Sequence, residues 1–225
     1  ADCGIAFDGD GDRVGAVDNQ GNMIPIDKFM IIIWRDIYNK VAKKEGFFDV
    51  KCSKALKDEL IKLGVKPVET RTGNSYTKKI SVENDYPFGG EMSGHLYFRD
   101  KFIGNDDGIY AGLRLVEILS KTNKKCIELL DNIPVYYSTD ENKVPVEDAI
   151  KDKIVSRVEE YVKEKGYNYL TIDGVKVLYD DGFALVRKSN TTPNITTRYE
   201  AKTKERLEEI TNEYNFLLNK LKEEE

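Results

Sequence analysis

The chain has 225 residues, a formal net charge of −5, 40% hydrophobic residues and 10% aromatic residues. This composition is typical of a globular protein with one large or two smaller domains. The acidic balance and the scattered basic residues argue against a general nucleic-acid-binding protein. The longest apolar run, residues 29–34, is far shorter than a membrane-spanning helix. We therefore expect no nucleic-acid partner and no membrane partner.

The three cysteines, Cys3, Cys52 and Cys126, are widely spaced and form no CxxC pair. An odd number of such thiols is typical of a reducing compartment, where disulfides are rare. The sequence therefore predicts reduced, buried thiols and a cytoplasmic protein.

Strand-like and helix-like patterns alternate over the first 134 residues. The predicted strands cover residues 3–7, 14–17, 47–52, 66–70, 88–92 and 96–99. The predicted helices cover residues 28–44, a segment between Ser53 and Gly64, a short helix after residue 75, and a helix capped by residues 106–108. Such alternation indicates an α/β domain with a mixed sheet. The first strand is apolar and has no earlier strand to pair with, so we expect it to be buried and the chain to begin partway through a domain.

The pattern changes after about residue 134. A predicted helix over residues 146–165 precedes four short predicted strands and a last helix that Thr203 opens. Those four strands cover residues 169–172, 175–179, 183–187 and 195–201. A helix, an antiparallel meander and a second helix make an α+β domain. We expect the domain boundary within residues 131–145.

A run of alternating carboxylates follows the first predicted strand. Asp8, Asp10 and Asp12 are separated by single glycines, which let the backbone curl so that the three side chains converge. Oxygen ligands suit Mg²⁺ or Ca²⁺, and the adjacent Arg13 could hold a phosphate beside the cation. An EF-hand loop is excluded because its sixth and twelfth positions hold Arg13 and Asn19 instead of Gly and Glu. A metal site is favoured over a plain Asp-Gly turn, because close carboxylates repel one another without a cation.

A second polar loop, residues 89–95, contains the only histidine of the chain, His95. If residues 88–92 form a strand, Glu91 and Ser93 point to the same side. A carboxylate and a hydroxyl side by side suit the vicinal hydroxyls of a sugar. The alternative is a hairpin in which the histidine only bonds the backbone, and the loop by itself leaves both interpretations open.

A third polar loop joins the last two predicted strands. Arg187, Ser189, Asn190 and Thr191 offer a guanidinium, hydroxyls and an amide, which together could bind a phosphate. An ordinary polar hairpin turn is the alternative. Two weaker candidates are the turn at residues 71–75 and Lys51 at a strand end, which could equally be solvated.

Together these loops resemble those of the phosphohexomutase family, the phosphoglucomutase and phosphomannomutase enzymes. Members carry a catalytic phosphoserine, a magnesium loop, a sugar loop and a phosphate loop on four successive domains. The resemblance implies Asp8, Asp10 and Asp12 as Mg²⁺ ligands and Arg13, Lys51 and His95 as catalytic residues. It implies the following substrate-binding residues: Thr72, Gly73, Glu91, Ser93, His95, Arg187, Ser189, Asn190 and Thr191. Family members often have His where this chain has Asn74.

The resemblance also implies the domain organisation. The nucleophile motif of the family, which has the form Thr-Ala-Ser-His-Asn-Pro, is not found in this sequence. We therefore expect the C-terminal half of such an enzyme, whose missing N-terminal domains would be its partner. Residues 1–22 would be the tail of domain 2 with the metal loop, residues 23–134 the sugar-binding domain 3, and residues 135–225 the phosphate-binding domain 4.

The implied activity is the interconversion of hexose 1-phosphate and hexose 6-phosphate through the phosphoserine and a 1,6-bisphosphate. Mg²⁺ would be the cofactor, with glucose 1,6-bisphosphate or mannose 1,6-bisphosphate as activator. Met92 favours mannose and glucose phosphates as substrates, because glucosamine-phosphate mutases tend to have Gln there. Phosphoglucosamine mutase is the alternative within the family, and a non-catalytic sugar-phosphate-binding fragment is the alternative outside it. We predict that these 225 residues alone are inactive.

Overall fold

The computed structural model describes residues 1–189 and 192–224. The chain divides into two compact units, residues 1–134 and residues 135–225. We call them the first unit and the second unit and describe each by itself. Among the residues that the structure describes, no helix is both long enough and apolar enough to cross a bilayer.

The first unit opens with a small antiparallel sheet of three strands. The strands are β1 (Gly4–Phe7), β2 (Val14–Val17) and β3 (Met23–Ile24). β1 pairs with β2, and the Asp-rich loop connects them. The prediction that the first strand is buried is wrong, because Phe7 is 46% exposed. The strand carries a half-exposed face because, among the described residues, the helix at residues 108–120 packs on one of its faces.

A mixed sheet of four strands forms the centre of the first unit. Its order is β5 (Lys66–Thr70), β4 (Glu45–Asp49), β6 (Phe88–Gly90) and β7 (Leu96–Phe98). β4 runs parallel to both β5 and β6, whereas β7 is antiparallel to β6. The predicted α/β domain with a mixed sheet is thereby confirmed.

Four helices accompany this sheet. They are α1 (Ile26–Ile37), α2 (Lys54–Lys62), α3 (Asn74–Glu83) and α4 (Gly108–Ser120), and a 3₁₀ turn follows at Cys126–Leu130. The expected cap at Ser53 is present, since its Oγ accepts a hydrogen bond from the Ala55 N–H at 3.1 Å. Asp107 caps α4 in the same way through the Tyr110 N–H at 2.8 Å. Both caps fix helix starts close to the polar loops.

The first helix is shorter than predicted. It ends at Ile37 rather than near residue 44, and a turn follows in which the Lys40 N–H bonds the Ile37 carbonyl. Within residues 28–44, the last buried apolar side chain is that of Ile37. A longer helix would therefore have no buried apolar side chain to pack against the core. The chain must also be extended by Glu45, where β4 begins its parallel pairing with β5.

The second unit is a sheet with two helices, as the predicted α+β class requires. The sheet contains β8 (Tyr137–Ser138), β9 (Asn142–Pro145), β10 (Tyr169–Leu170), β11 (Val175–Tyr179), β12 (Gly182–Lys188) and β13 (Asn194–Ala201). The helices are α5 (Lys151–Glu164) and α6 (Lys204–Glu223). Strands β10 to β13 form the predicted antiparallel meander. Buried side chains of both helices, including Val158, Val162 and Tyr214, belong to one apolar core with the sheet.

The helix predicted over residues 146–165 begins only at Lys151. Residues 142–145 form β9, which pairs with β13, and the Val146 N–H donates to the Pro193 carbonyl. Backbone groups that are engaged in a sheet ladder cannot enter a helix at the same time. The expected domain boundary therefore contains two strands of the second unit, which the sequence pattern did not reveal.

Candidate functional site

The three aspartates of the first polar loop converge, as their spacing predicts. One oxygen from each of Asp8, Asp10 and Asp12 lies within 4.8 Å of the others. The loop turns at Gly11, whose φ of +75° suits glycine and whose N–H bonds the Asp8 carbonyl at 3.3 Å. Asp10 is exposed, and the other two aspartates are half-buried. The β1–β2 hairpin thus presents a compact set of carboxylate oxygens.

Arg13 binds Asp8 at one end of this loop. Its Nε lies 2.6 Å from Asp8 Oδ2, and its backbone N–H donates to Asp8 Oδ1 at 3.1 Å. Although partial desolvation opposes the effect, these hydrogen bonds lower the pKa of Asp8. The Arg13 side chain is still 49% exposed, so a bound anion could reach it. The pairing keeps Asp8 ionised and fixes the shape of the loop.

Asp12 shows that the loop fits a divalent cation. Its Oδ1 is buried and has no hydrogen-bond partner among the described residues. Desolvation raises the pKa of Asp12, and the charges of Asp10 and Asp8 raise it further against the opposing effect of His95. A hard cation such as Mg²⁺ would supply the missing partner and offset this repulsion.

The second polar loop lies directly on the first. Arg13 and His95 form an isolated antiparallel bridge, and the Val14 N–H donates to the Gly94 carbonyl at 3.3 Å. Gly94 has a φ of +102°, and a Cβ there would lie 2.8 Å from the Val14 carbonyl oxygen. Glycine is therefore required where the two loops touch. This contact places the histidine beside the aspartates.

The His95 ring is held by side chains, which contradicts the alternative of a histidine that only bonds the backbone. Its Nδ1 lies 3.3 Å from Asp106 Oδ2, 3.6 Å from Asp12 Oδ2 and 3.3 Å from the side-chain nitrogen of Asn74. The Asn74 nitrogen also donates to Asp106 Oδ2 at 2.7 Å. Lys78 approaches the other Asp106 oxygen at 3.5 Å. The ring edge thus faces two carboxylates and one amide.

Asp106 is a functional candidate that the sequence did not single out. It was included with its neighbours as a helix cap, but only Asp107 caps α4. Two consecutive aspartates before one helix were the available signal, because a helix start needs a single capping side chain. The second carboxylate was therefore available for another partner.

Glu91 does not lie where the strand prediction puts it. β6 ends at Gly90, and residues 91–95 make a tight turn in which the Glu91 N–H bonds the His95 carbonyl at 2.9 Å. The Glu91 side chain is 2% exposed, and its Oε1 accepts from the Gly73 N–H at 2.6 Å and from Thr77 Oγ1 at 3.0 Å. Ser93 is exposed on the turn. The two side chains therefore do not share a strand face.

The turn at residues 71–75 leads into α3 and is tied to the second loop through Glu91. Gly73 has a φ of +133°, which glycine tolerates, and its carbonyl accepts from the Thr77 N–H at 2.9 Å. Thr72 is half-buried beside it. The structure thus brings Thr72 and Gly73 close to the second loop, although their roles stay predictions.

Lys51 follows β4 and lies against a buried carboxylate, Asp49. The Lys51 Nζ is 3.9 Å from Asp49 Oδ2, and the Lys51 N–H donates to Asp49 Oδ1 at 2.9 Å. Asp49 Oδ2 also accepts from the Met92 N–H at 3.2 Å. Burial raises the pKa of Asp49, and the charge of Lys51 opposes that rise. Asp49, which the sequence reading missed, therefore joins Lys51 to the second loop.

The third polar loop belongs to the second unit. Arg187 is 7% exposed, and its Nε donates to Asp173 Oδ2 at 3.0 Å. The Ser189 and Thr192 hydroxyls lie 2.7 Å apart, and the Thr192 N–H donates to Ser189 Oγ at 3.2 Å. Asn190 and Thr191, which complete the predicted phosphate cradle, lie outside the described residues.

Lys151 anchors this third loop and was also missed. It is 8% exposed at the start of α5, and its Nζ donates to the Ser189 carbonyl at 2.8 Å and to the Thr192 carbonyl at 3.0 Å. Asp148 lies 2.6 Å from the same Nζ. A lysine at a helix start gives no sequence signal for such a role, because its two acceptors are distant backbone carbonyls.

Comparisons with known proteins identify the family to which the chain belongs. Residues 25–137 match the family model for phosphoglucomutase/phosphomannomutase, alpha/beta/alpha domain III. Residues 141–215 match the model for the phosphoglucomutase/phosphomannomutase C-terminal domain. Together the two matches cover most of the chain.

Individual relatives are similar over nearly the whole chain. The phosphomannomutase/phosphoglucomutase of Pseudomonas syringae pv. tomato is 39% identical over 221 residues, which is 98% of this chain and 48% of that protein. The phosphoglucosamine mutase of Methanocaldococcus jannaschii is 35% identical, over 92% of this chain and 46% of that protein. A crystal structure of a phosphoglucomutase/phosphomannomutase family protein from Burkholderia thailandensis has a TM-score of 0.88 at 36% identity and covers 97% of this chain and 46% of that one. The chain thus spans about half the length of these relatives, and it belongs to the phosphoglucomutase/phosphomannomutase family.

Proposed function

We propose that this chain carries the metal, sugar and phosphate loops of a phosphohexomutase. The reaction is the interconversion of hexose 1-phosphate and hexose 6-phosphate, with mannose or glucose as the sugar, through a phosphoserine and a 1,6-bisphosphate. The observation that supports it most is the convergence of Asp8, Asp10 and Asp12 beside His95 in the first unit. Carboxylates that fit a cation, next to a histidine and an exposed guanidinium, suit phosphoryl transfer.

The metal loop has two parts in this proposal. Asp8, Asp10 and Asp12 would hold Mg²⁺, which when bound neutralises charge on the phosphoryl group. Arg13 keeps Asp8 ionised and offers the exposed part of its guanidinium to the phosphate. Lys51 would add positive charge near the reacting oxygens, and His95 would donate or accept a proton at a sugar oxygen.

Sugar and phosphate binding complete the proposal. Thr72, Gly73, Glu91 and Ser93 would line the sugar site, where the buried Glu91 fixes the Gly73 backbone. Arg187, Ser189, Asn190 and Thr191 would hold the phosphate that is not reacting, so that positioning provides part of the catalysis. The same groups must accept either phosphate of a 1,6-bisphosphate, and glucose 1,6-bisphosphate or mannose 1,6-bisphosphate would act as activator.

We also propose the domain assignment that the resemblance implies. Residues 1–22 would be the tail of domain 2, residues 23–134 domain 3 and residues 135–225 domain 4. The phosphoserine would then come from N-terminal domains of the same protein, and the chain by itself would bind substrate without turning it over. A cytoplasmic location is part of the proposal, supported by three free cysteines.

Phosphoglucosamine mutase is the second candidate. The 35% identity to the Methanocaldococcus jannaschii phosphoglucosamine mutase favours it. Met92 favours mannose and glucose phosphates instead. A non-catalytic sugar-phosphate-binding protein is the candidate from another class, because no activated serine nucleophile is recognisable in the sequence.

Titration calorimetry of the chain with Mg²⁺ and hexose phosphates tests the proposal. We expect saturable binding of glucose 1-phosphate, glucose 6-phosphate and mannose 1-phosphate, and weaker binding of glucosamine 6-phosphate. Preferential binding of glucosamine 6-phosphate would replace the first candidate with the second. Binding of free phosphate without any preference for a sugar phosphate would contradict both.

A further inference from the structure

We infer that Asp173 is a positioning residue of the second unit, which orients the Arg187 guanidinium so that it binds a phosphate group end-on. In this arrangement Asp173 holds Nε of Arg187, and the two terminal nitrogens, Nη1 and Nη2, face the same anion. The role of Asp173 with sugar phosphates rests on the proposed function, whereas the orientation of Arg187 and its use for inorganic phosphate do not. The sequence pattern did not single out Asp173.

The turn before β11 lies against the end of β12. Val175, the first residue of β11, pairs with Val186. Gly174 has a φ of +77°, and a Cβ there would meet the Val186 carbonyl oxygen and lie 2.6 Å from the Arg187 Cα. Glycine is therefore required at this close approach of the two backbones. The residue before it, Asp173, is brought next to Arg187 by this main-chain packing.

The contact between the two side chains uses only one part of the guanidinium. Arg187 Nε donates to Asp173 Oδ2 at 3.0 Å. A guanidinium has five N–H donors, and four of them are on Nη1 and Nη2. Among the described residues, none accepts a hydrogen bond from either terminal nitrogen of Arg187, although the residue is only 7% exposed. Polar groups with so little contact to water normally have a partner, so these donors are suited to a ligand.

A phosphate group matches the donors that remain. Two parallel N–H groups of one guanidinium can bond two oxygens of one phosphate, and such a paired contact is stronger and more directional than a single bond. Because Asp173 occupies Nε, the paired contact must come from the Nη1 and Nη2 end of Arg187. Arg187 also stands two residues before Ser189, whose hydroxyl belongs to the proposed phosphate cradle. Asp173 thus sets the direction from which the cradle meets its anion.

The Asp173 carboxylate has two opposing effects on a bound anion. Its negative charge reduces the positive potential around Arg187, which by itself weakens anion binding. Its hydrogen bond keeps the guanidinium in one orientation, so less side-chain entropy is lost when phosphate binds. A variant that removes the charge but keeps the hydrogen bond separates these two effects.

Calorimetry with inorganic phosphate, glucose 1-phosphate and glucose 6-phosphate, without added metal, tests the inference. Asp173→Asn removes the charge but keeps an oxygen acceptor for Nε, whereas Asp173→Ala removes both. The two variants have the same net charge, so the difference between their affinities measures the effect of orientation. We expect Asp173→Ala to bind each ligand about tenfold to a hundredfold more weakly than Asp173→Asn, the range for one charge-assisted hydrogen bond. Equal affinities in the two variants overturn the inference.

Asp181 provides the matched control. It lies at the other end of the β11–β12 pair, and its Oδ2 is 3.4 Å from Nε of Arg206. Asp181→Asn and Asp181→Ala should bind each ligand with equal affinity, because this second aspartate–arginine pair is distant from the cradle along both strands.

If Asp173→Ala does not fold, NMR of the wild type and of Asp173→Asn still decides the matter. The Arg187 Nε–H signal, assigned by its absence from Arg187→Lys, should exchange slowly with water in both proteins. Addition of phosphate should shift the signals of the terminal nitrogens. Rapid exchange at Nε–H, or terminal signals that phosphate leaves unchanged, contradicts the positioning role.

The choice of ligands separates this inference from the proposed function. An affinity difference between Asp173→Asn and Asp173→Ala for inorganic phosphate, without binding of either sugar phosphate to the wild type, keeps the inference and contradicts the function. Sugar-phosphate binding that is equal in the two variants does the reverse. A wild type that binds none of the three ligands contradicts both.

Discussion

The backbones of Arg13 and His95 pair with each other in a single antiparallel bridge. This bridge ties the loop of three aspartates to the loop with the histidine, and the Val14 N–H to Gly94 carbonyl bond reinforces it. Main-chain bonds set the distance between the loops, and His95 Nδ1 lies 3.6 Å from Asp12 Oδ2. The metal and proton-transfer groups of the proposed site are therefore connected through the backbone.

The first prediction concerns the metal. Asp10→Asn removes one carboxylate charge from the exposed member of the three aspartates and leaves the Asp8–Arg13 pair intact. We expect Mg²⁺ affinity, measured by calorimetry, to fall by about tenfold or more, since even indirect partners of metal ligands typically contribute 10–100-fold. Asp85→Asn is the control, because Asp85 is exposed and its φ of 49° suits asparagine. Equal Mg²⁺ affinity in both variants would contradict the metal site.

The second prediction concerns the phosphate cradle. Arg187→Ala should weaken the binding of glucose 1-phosphate and of glucose 6-phosphate to a similar extent. The reason is that one cradle is proposed to hold the non-reacting phosphate in both orientations. The loss of a charge-assisted contact should reduce the binding free energy, measured by calorimetry, by about 1.5–3 kcal/mol. Lys188→Ala is the control, since Lys188 is the next residue on β12, points to the other face and pairs with Asp152. Weaker binding of only one of the two sugar phosphates would refute a shared cradle.

The third prediction concerns Lys151. Lys151→Met keeps the length of the side chain but removes the donor to the Ser189 and Thr192 carbonyls. The loss of these two hydrogen bonds should lower the free energy of unfolding of the second unit by about 1–3 kcal/mol. Hydrogen exchange should show faster exchange at the Thr192 N–H than in wild type. Lys163→Met, an exposed position on α5, should have neither effect, and normal protection at Thr192 in Lys151→Met would show that the lysine does not hold the loop.

The fourth prediction concerns pH. Glu117 accepts hydrogen bonds from Lys121 and Lys101, which lower its pKa to about 2. A carboxyl with a lowered pKa stabilises the folded protein above its unfolded pKa, and this contribution is lost as pH falls towards 2. Because the side chain is partly exposed, we expect only about 1 kcal/mol.

Urea unfolding at several pH values measures this effect. The stability difference between wild type and Glu117→Gln should be present at pH above about 4.5 and vanish at the acidic end. Glu83→Gln is the control, because Glu83 is exposed and pairs with the exposed Lys79. A difference that stays constant down to strongly acidic pH would disprove the proposed linkage.

The fifth prediction concerns turnover. The 225-residue chain with Mg²⁺ and glucose 1,6-bisphosphate should not interconvert glucose 1-phosphate and glucose 6-phosphate. The His95 ring faces Asn74 and Asp106 rather than a serine, so the described residues form no activated nucleophile around it. A coupled assay for glucose 6-phosphate measures the rate. Turnover together with a labelled serine would overturn the assignment of the phosphoryl donor to other domains.

Local features were predictable because they depend on residues close in sequence. Glycines between Asp8, Asp10 and Asp12 permit a tight loop in which the three carboxylates converge, and the Ser53 cap marks a helix start. The start of α5 was predicted wrongly because a strand distant in sequence pairs with the backbone before it. Residues 142–145 have no strong strand pattern, yet β13 pairs with them and delays the start of α5.

The sequence by itself determined the family and the mixed α/β and α+β classes, and it predicts the chemistry of the polar loops. Only the tertiary structure decided how those loops are supported: Asp106 and Asn74 at the His95 ring, Asp49 beneath Lys51, and Lys151 behind Ser189. These supporting side chains are ordinary residues in ordinary patterns. Their roles come from buried polar groups that need partners, and the partners are brought close only when the chain has folded.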